Sequence, residues 1–285
     1  MASDEGSALT PEIRKNPSSE LKTRVASAIV MIALALLTAY WGGWPFALFW
    51  LAAGIAIMIE WTDMVRIEPR RPVQAVYSFG LLALTLLFLL GGSFAASAAA
   101  ALTALVVGVL LTRGSREKLW SASAFAYAAI IVLVPPIVRT SPDLGILGLI
   151  WMFAVVWTTD IAAYFTGRTL GGPKLCPSIS PKKTWSGFLG GVFAAAVSGF
   201  LVALVGRRLG VDHSFGIWAT IALSIVASVA SQIGDLGESA LKRHCDVKDS
   251  SHLIPGHGGV MDRLDGFWAV CLIVGLVLLA GYGAA

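Results

Sequence analysis

The sequence predicts an all-α, polytopic integral membrane protein of about nine transmembrane helices, and three observations predict it. Hydrophobic residues make up 56% of the 285 positions against 13% charged, with a mean hydropathy of +0.78, far from the composition of a soluble domain. Apolar runs recur at close to the roughly 20 residues that cross a bilayer. Lysine and arginine crowd into alternate connections between those runs, which is the charge pattern of an inserted bundle.

The runs are taken in chain order at 24–41, 45–63, 75–91, 94–112, 119–138, 144–165, 185–206, 216–240 and 264–283. A polar segment, Met1 to Thr23, precedes the first; its Ser, Pro and charge content reads as a disordered cytoplasmic tail. With that segment ahead of it and no clear small-residue cleavage site behind it, the first run reads as a retained helix rather than a signal peptide. Glu60 and Asp63 close the second run and read as snorkelling or interfacial pairing rather than catalysis. Ala95 to Ala101, with Gly42, Gly43, Gly91 and Gly92, reads as close helix packing and turns. Pro135 and Pro136 are expected to kink or end the fifth helix. The organisation expected is a tail (1–23), N-terminal transmembrane helices (24–138) and a C-terminal catalytic transmembrane region (139–285).

Placing the tail and every second connection on one side collects 18 of the 21 Lys and Arg there, leaving Arg139, Arg207 and Arg208 opposite. The positive side is expected to be cytoplasmic and the C-terminus to lie outside. Nucleic-acid binding is not expected, since no basic stretch is interleaved with aromatics. Cys176, Cys245 and Cys271 show no paired spacing, and His244, Cys245, His252 and His257 show none of the ligand spacings of zinc.

Two polar stretches break the apolar pattern. Arg168 to Thr184 carries Gly171, Gly172, Pro173, Pro177 and Pro181 with Arg168, Lys174, Lys182 and Lys183. It cannot form a continuous helix, and it reads either as a polyphosphate cradle or as an ordinary cytoplasmic loop. Ser231 to Asp265 holds five Asp, one Glu, two Lys, two Arg and three His, and ionisable groups concentrated at a membrane helix end mark a working site. Asp235, Glu238, Ser239 and Lys242 fall on one helical face. Two carboxylates beside a hydroxyl suit Mg²⁺, while pairing of Glu238 with Lys242 is the plainer reading. Asp262, Arg263 and Asp265 follow His257-Gly258-Gly259, where glycines permit close backbone approach. Asp160, near the same membrane face, reads equally as a site residue or as the partner of a lysine.

Ser239, Lys242, Arg243, Lys248, Asp249, Pro255, His257, Gly258, Gly259, Asp262, Arg263 and Asp265 resemble, over about 27 ungapped positions, the pattern of phosphatidate cytidylyltransferases, also called CDP-diacylglycerol synthases. Asp160 to Gly187 is similar to the same family's upstream segment. The resemblance implies transfer of the cytidylyl group of CTP to phosphatidate at the cytoplasmic face of a bacterial inner membrane, by a homodimer using Mg²⁺, alone or with a second cation. It implies Asp235, Asp262, Lys242, Arg243, Lys248, Asp249, His257, Arg263 and Asp265 as catalytic residues, with Asp235, Asp262 and Glu238 at the metal. Arg168, Lys174, Ser180, Lys182, Lys183, Thr184, Ser239, Gly258 and Gly259 are implied in nucleotide binding. His257 reads as a structural hydrogen bonder, a phosphate ligand or a proton carrier. One departure is visible: Ser186 stands where the family pattern SPKKT-x-Glu-Gly has an acid. The competing readings are a CTP-dependent kinase or nucleotidyltransferase acting on another membrane lipid such as a polyprenol, and a transporter, which would carry its polar groups near the bilayer midplane.

Overall fold

A computed structural model describes residues 17–142, 144–210 and 216–282. Among these residues the chain forms nine helices and one small hairpin: α1 (Pro17–Trp41), α2 (Gly43–Met64), α3 (Arg70–Leu89), α4 (Phe94–Leu111), α5 (Ser115–Thr140), α6 (Gly145–Leu170), β1 (Lys174–Cys176), β2 (Ser180–Thr184), α7 (Trp185–Arg208), α8 (Ile217–His244) and α9 (Met261–Tyr282). Residues 1–16 of the expected tail lie outside the described residues, and from Pro17 the chain is already helical.

Eight helices, α2 to α9, are long and apolar enough to cross a membrane. The apolar part of α1, Val25–Trp41, is shorter and spans about 25 Å at 1.5 Å per residue, the low end of what a bilayer core requires. Several helices overrun their apolar runs, because polar residues at a helix end keep their backbone bonded while their side chains reach head groups and water. Thus α3 begins at Arg70, α5 at Ser115, and α6 continues to Leu170.

The prolines of α5 do not end it. The helix runs through Pro135 and Pro136 to Thr140, whose hydroxyl donates back to the carbonyl of Pro136 at 3.1 Å. Val134 to Pro136 are buried, and packed neighbours keep a helix continuous across prolines in a membrane.

Contacts across the connections show which ends lie together. At one end Arg113 N donates to Glu68 O at 2.8 Å, and an Arg116 guanidinium nitrogen lies 2.9 Å from His244 Nε2. At the other, Arg139 donates to the carbonyls of Ala39 and Tyr40, closing the last turn of α1. Both polar stretches share the first end, with the α2–α3 and α4–α5 connections.

Two apolar cores meet along α2 and α5. One, among α2 to α5, is built on Leu51, Met58, Tyr77, Leu81, Phe125 and Val132. The other joins α2, α5, α6 and α9 through stacked rings: Trp50 on Phe267 at 5.1 Å, Phe153 on Phe267 at 5.1 Å, and Tyr127 on Trp268 at 4.2 Å. Such stacks contribute about 0.5–1.5 kcal/mol each beyond burial. They hold α9 against both halves of the chain.

Candidate active site

The first half of the site begins where α6 and α7 touch. A Cβ at Gly187 would lie 2.7 Å from the carbonyl of Ala163, one at Gly190 2.2 Å from Thr166 Oγ1, and one at Gly191 3.0 Å from the carbonyl of Thr159. This small-residue seam lets the two backbones approach closely. Between the helices, Gly171 and Gly172 take positive φ (62° and 99°) and turn the chain into the β1–β2 hairpin, which pairs Lys174 with Thr184 and Cys176 with Ser180. An extended hairpin forms because Pro173, Pro177 and Pro181 deny the segment a helix. Thr184 then caps α7, accepting from Gly187 N at 3.1 Å. Ser186, the departure from the family pattern, donates to the carbonyl of Gly171 and lies 3.1 Å from Thr184 Oγ1, pinning the base of the hairpin.

In β2 Lys182 is exposed and Lys183 turns inward, where its ammonium sits 2.6 Å from Asp235 Oδ2 on α8. That pair joins the two polar stretches. Ser239, one turn on, reaches Asp235 Oδ1 at 3.4 Å.

The second half lies where α8 meets α9. A Cβ at Gly234 would come within 2.8 Å of Asp265 O, and one at Gly266 within 2.5 Å of Ser231 Oγ. This crossing sets Asp265 close enough to Asp235, Glu238 and Asp160 to interact with each electrostatically. Lys242 bridges the helices, 2.6 Å from Asp262 Oδ1 and 3.3 Å from Glu238 Oε2. The i,i+4 pair expected within α8 is therefore present, enlarged by a carboxylate from α9. Asp262 Oδ2 accepts from Ser250 N and Ser250 Oγ, both at 2.9 Å, and from Gly259 N at 2.8 Å. Gly258 (φ 83°) leaves no room for a side chain, since a Cβ would lie 2.6 Å from Asp262 Oδ2.

The residue that sequence reasoning missed is Glu60 of α2. It is 3% exposed and accepts four hydrogen bonds from the α8–α9 connection and the start of α9: Ser250 Oγ (3.2 Å), Ser251 Oγ (2.7 Å), Val260 N (2.8 Å) and Met261 N (2.8 Å). The reading of an interfacial pair holds for its neighbour Asp63, which binds Arg70 and Gln74. It misses the place of Glu60. The available signal was an acid within an apolar run at the end shared with both polar stretches.

The remaining residues expected at the site divide by exposure. Arg168, Lys174, Lys182, Arg243, Lys248, Asp249 and Arg263 are exposed; Arg168 donates to Tyr164 Oη at 3.1 Å and Arg263 to His257 O at 3.1 Å. His257 Nδ1 lies 2.8 Å from Ser27 Oγ of α1, and Ser180 opens β2. Beyond the spans, burial and the neighbouring Asp246 push the Cys245 thiol above its ordinary value.

Among the described residues no three His, Cys, Asp or Glu side chains gather tightly enough to hold a metal by themselves. The chain nevertheless fits a hard divalent cation. Glu238 is buried and shares a side-chain hydrogen bond with Asp265, and the five acids Asp160, Asp235, Glu238, Asp262 and Asp265 outnumber the three neighbouring cations Lys183, Lys242 and Arg263. All the donors are oxygen, and Mg²⁺ takes one or two carboxylates and completes its shell with water and substrate phosphate.

Known proteins share this arrangement of sequence. The profile of the cytidylyltransferase family matches residues 22–280. A phosphatidate cytidylyltransferase of Brucella suis biovar 1 (strain 1330) is 39% identical over 267 residues, covering 93% of this chain and 94% of that protein. One from Haemophilus influenzae is 35% identical, covering 87% and 95%. One from Staphylococcus haemolyticus is 41% identical over 135 residues, covering 47% and 50%.

Proposed function

The chain belongs to the cytidylyltransferase family, and from that premise we propose that it makes CDP-diacylglycerol, passing the cytidylyl group of CTP to phosphatidate. A phosphate oxygen of phosphatidate bonds to the α-phosphorus of CTP, the bond from that phosphorus to the bridging oxygen breaks, and pyrophosphate leaves. Phosphatidate is already an anion at neutral pH, so no general base is needed, and the demand on the protein is positioning and charge neutralisation.

The observation that carries the reading is the Lys183–Asp235 pair at 2.6 Å, which docks a cation-bearing hairpin onto a cluster of acids. Arg168, Lys174 and Lys182 around the hairpin bind the triphosphate. Lys183 and Lys242 are held in place by carboxylates before substrate arrives, and a preorganised ammonium stabilises charge developing on phosphate without reorganisation. Asp235 and Asp262, with Glu238 behind them, are the residues that would hold Mg²⁺. When bound there it neutralises phosphate oxygens and polarises the phosphorus centre. Arg243, Lys248 and Arg263 extend the positive rim toward the lipid phosphate, and His257 holds its loop against α1.

This end of the bundle faces the cytoplasm of a bacterial inner membrane, which the concentration of Lys and Arg in alternate connections supports, and the resemblance extends to a homodimer. The test is a purified protein given radiolabelled CTP. Label should move into a chloroform-soluble nucleotide with phosphatidate, only with a divalent cation present, and far better from CTP than from ATP. Phosphorylation of a polyprenol in place of that product would overturn the reading, and full activity in excess EDTA would remove the metal from it.

A further inference from the structure

We propose that Glu60, far from both motif blocks in sequence, is a positioning residue for this reaction: through Ser250 and the first turn of α9 it fixes the carboxylate of Asp262. The proposal rests on the role given above to Asp262.

Burying a carboxylate costs several kcal/mol unless every lone pair is met, and a satisfied buried charge is seldom more stabilising than an apolar side chain of the same size. Glu60 is satisfied, and its four donors come from residues 190 to 201 positions away. An acid in this place therefore specifies where that segment sits.

The geometry says which part of the segment matters. Val260 N and Met261 N stand at the start of α9, where amide donors lack partners within the helix. They bond to different oxygens of Glu60, at 2.8 Å each, so the carboxylate acts as the helix cap from another element. The Ser250 hydroxyl lies 3.2 Å from Glu60 Oε2 and 2.9 Å from Asp262 Oδ2, one proton between two acids. Gly259 fills the gap, where a Cβ would fall 2.0 Å from Ser250 Oγ and 2.6 Å from Glu60 Oε1. All three donors to Asp262 Oδ2 thus come from Ser250 and Gly259, which Glu60 bonds or abuts directly. Oδ1 is left facing Lys242 and the acid cluster.

Glu60→Gln breaks this arrangement on chemical grounds. The two serine hydroxyls could rotate to accept from an amide NH₂, but Val260 and Met261 each offer an N–H to a different oxygen, so one must face another donor. Ser250→Ala is milder: it removes the bridging hydroxyl and keeps Ser250 N on Asp262. Asp63→Asn is the control, on the same end of α2 but bonded to α3.

Steady-state kinetics of the purified variants, corrected for folded fraction, test the idea. Asp262→Asn should lose about 100-fold or more in kcat. Glu60→Gln and Ser250→Ala should lose about 10- to 100-fold in kcat, with KM for CTP held within about threefold, because misplacing a reacting group costs rate rather than binding. Asp63→Asn should stay within about twofold, and Glu60→Gln should add little to Asp262→Asn. If Glu60→Gln does not fold, Ser250→Ala decides. Wild-type kcat in Ser250→Ala beside an inactive Asp262→Asn would overturn the positioning role and leave that of Asp262 standing. A fully active Asp262→Asn would overturn both.

Discussion

Two polar clusters, one in each half of the chain, show opposite ways of placing polar atoms in an apolar bundle. Among α3, α4 and α5, Tyr77 Oη lies 2.7 Å from Ser121 Oγ, and the Thr112 hydroxyl donates to Ser121 at 2.9 Å and to the Gly108 carbonyl at 2.8 Å. The cluster is neutral and mutually satisfied, and Gly108 lies so close that a Cβ would meet the Tyr77 ring at 2.0 Å. At the motif-bearing ends of α6, α8 and α9 the polar side chains are instead charged, and the acids Asp160, Asp235, Glu238, Asp262 and Asp265 outnumber the cations Lys183, Lys242 and Arg263. A closed network of hydroxyls specifies packing. An open network of acids is costly unless something else completes it, which makes the shortfall itself a mark of function.

The strongest attempt to break the comparison is removal of charge from the open cluster. Asp235→Asn and Asp262→Asn should each lower turnover by on the order of 10³-fold, since an amide keeps the shape but loses the charge that would hold Mg²⁺. The double variant should be little worse than either, measured by conversion of labelled CTP into CDP-diacylglycerol. Additive losses would mean that the two acids do not act as one unit.

Lys183→Met removes the tie between hairpin and cluster. It should lower kcat/KM for CTP by about 10- to 100-fold, with the protein still folded by thermal unfolding in detergent. An unchanged kcat/KM would detach the hairpin from the nucleotide.

The closed cluster should behave the other way. Ser121→Ala leaves the buried Tyr77 hydroxyl without its partner, while Thr112 keeps the Gly108 carbonyl, and should cost about 1–3 kcal/mol of stability, read as a lower melting temperature, while turnover per folded molecule stays within twofold. A large loss of turnover would erase the distinction between the halves. Smallest of all, Arg70→Ala removes an exposed 3.5 Å pair with Asp63 and should change stability by less than about 0.5 kcal/mol and turnover not at all. An effect as large as that of the aspartates would mean that activity follows general surface charge.

Glu60 qualifies the comparison in an instructive way. It belongs by sequence to the closed half and by bonding to the open one, which gives the N-terminal helices a part in the site beyond lending apolar surface. The sequence reading placed it at the membrane interface because an acid at the end of an apolar run usually reaches for water. Nothing near it in the chain signals that its partners lie about 200 residues on.

The sequence by itself determined the helices and the chemistry they carry. In lipid every backbone group must be bonded within its own segment, so a sufficiently long apolar run becomes a helix almost regardless of its neighbours; the motif residues then fall at helix ends by simple spacing. The exceptions were local in kind and small in size: α5 passes through its prolines, and the glycine- and proline-rich connection folds as a hairpin. Tertiary structure alone decided which charges meet. The contacts of Lys183 with Asp235, of Lys242 with Asp262, and of Glu60 with Ser250 join residues on different elements. They depend on how helices rotate and cross at the glycine notches Gly187, Gly191, Gly234 and Gly266, and a notch does not disclose in the sequence which helix will fill it.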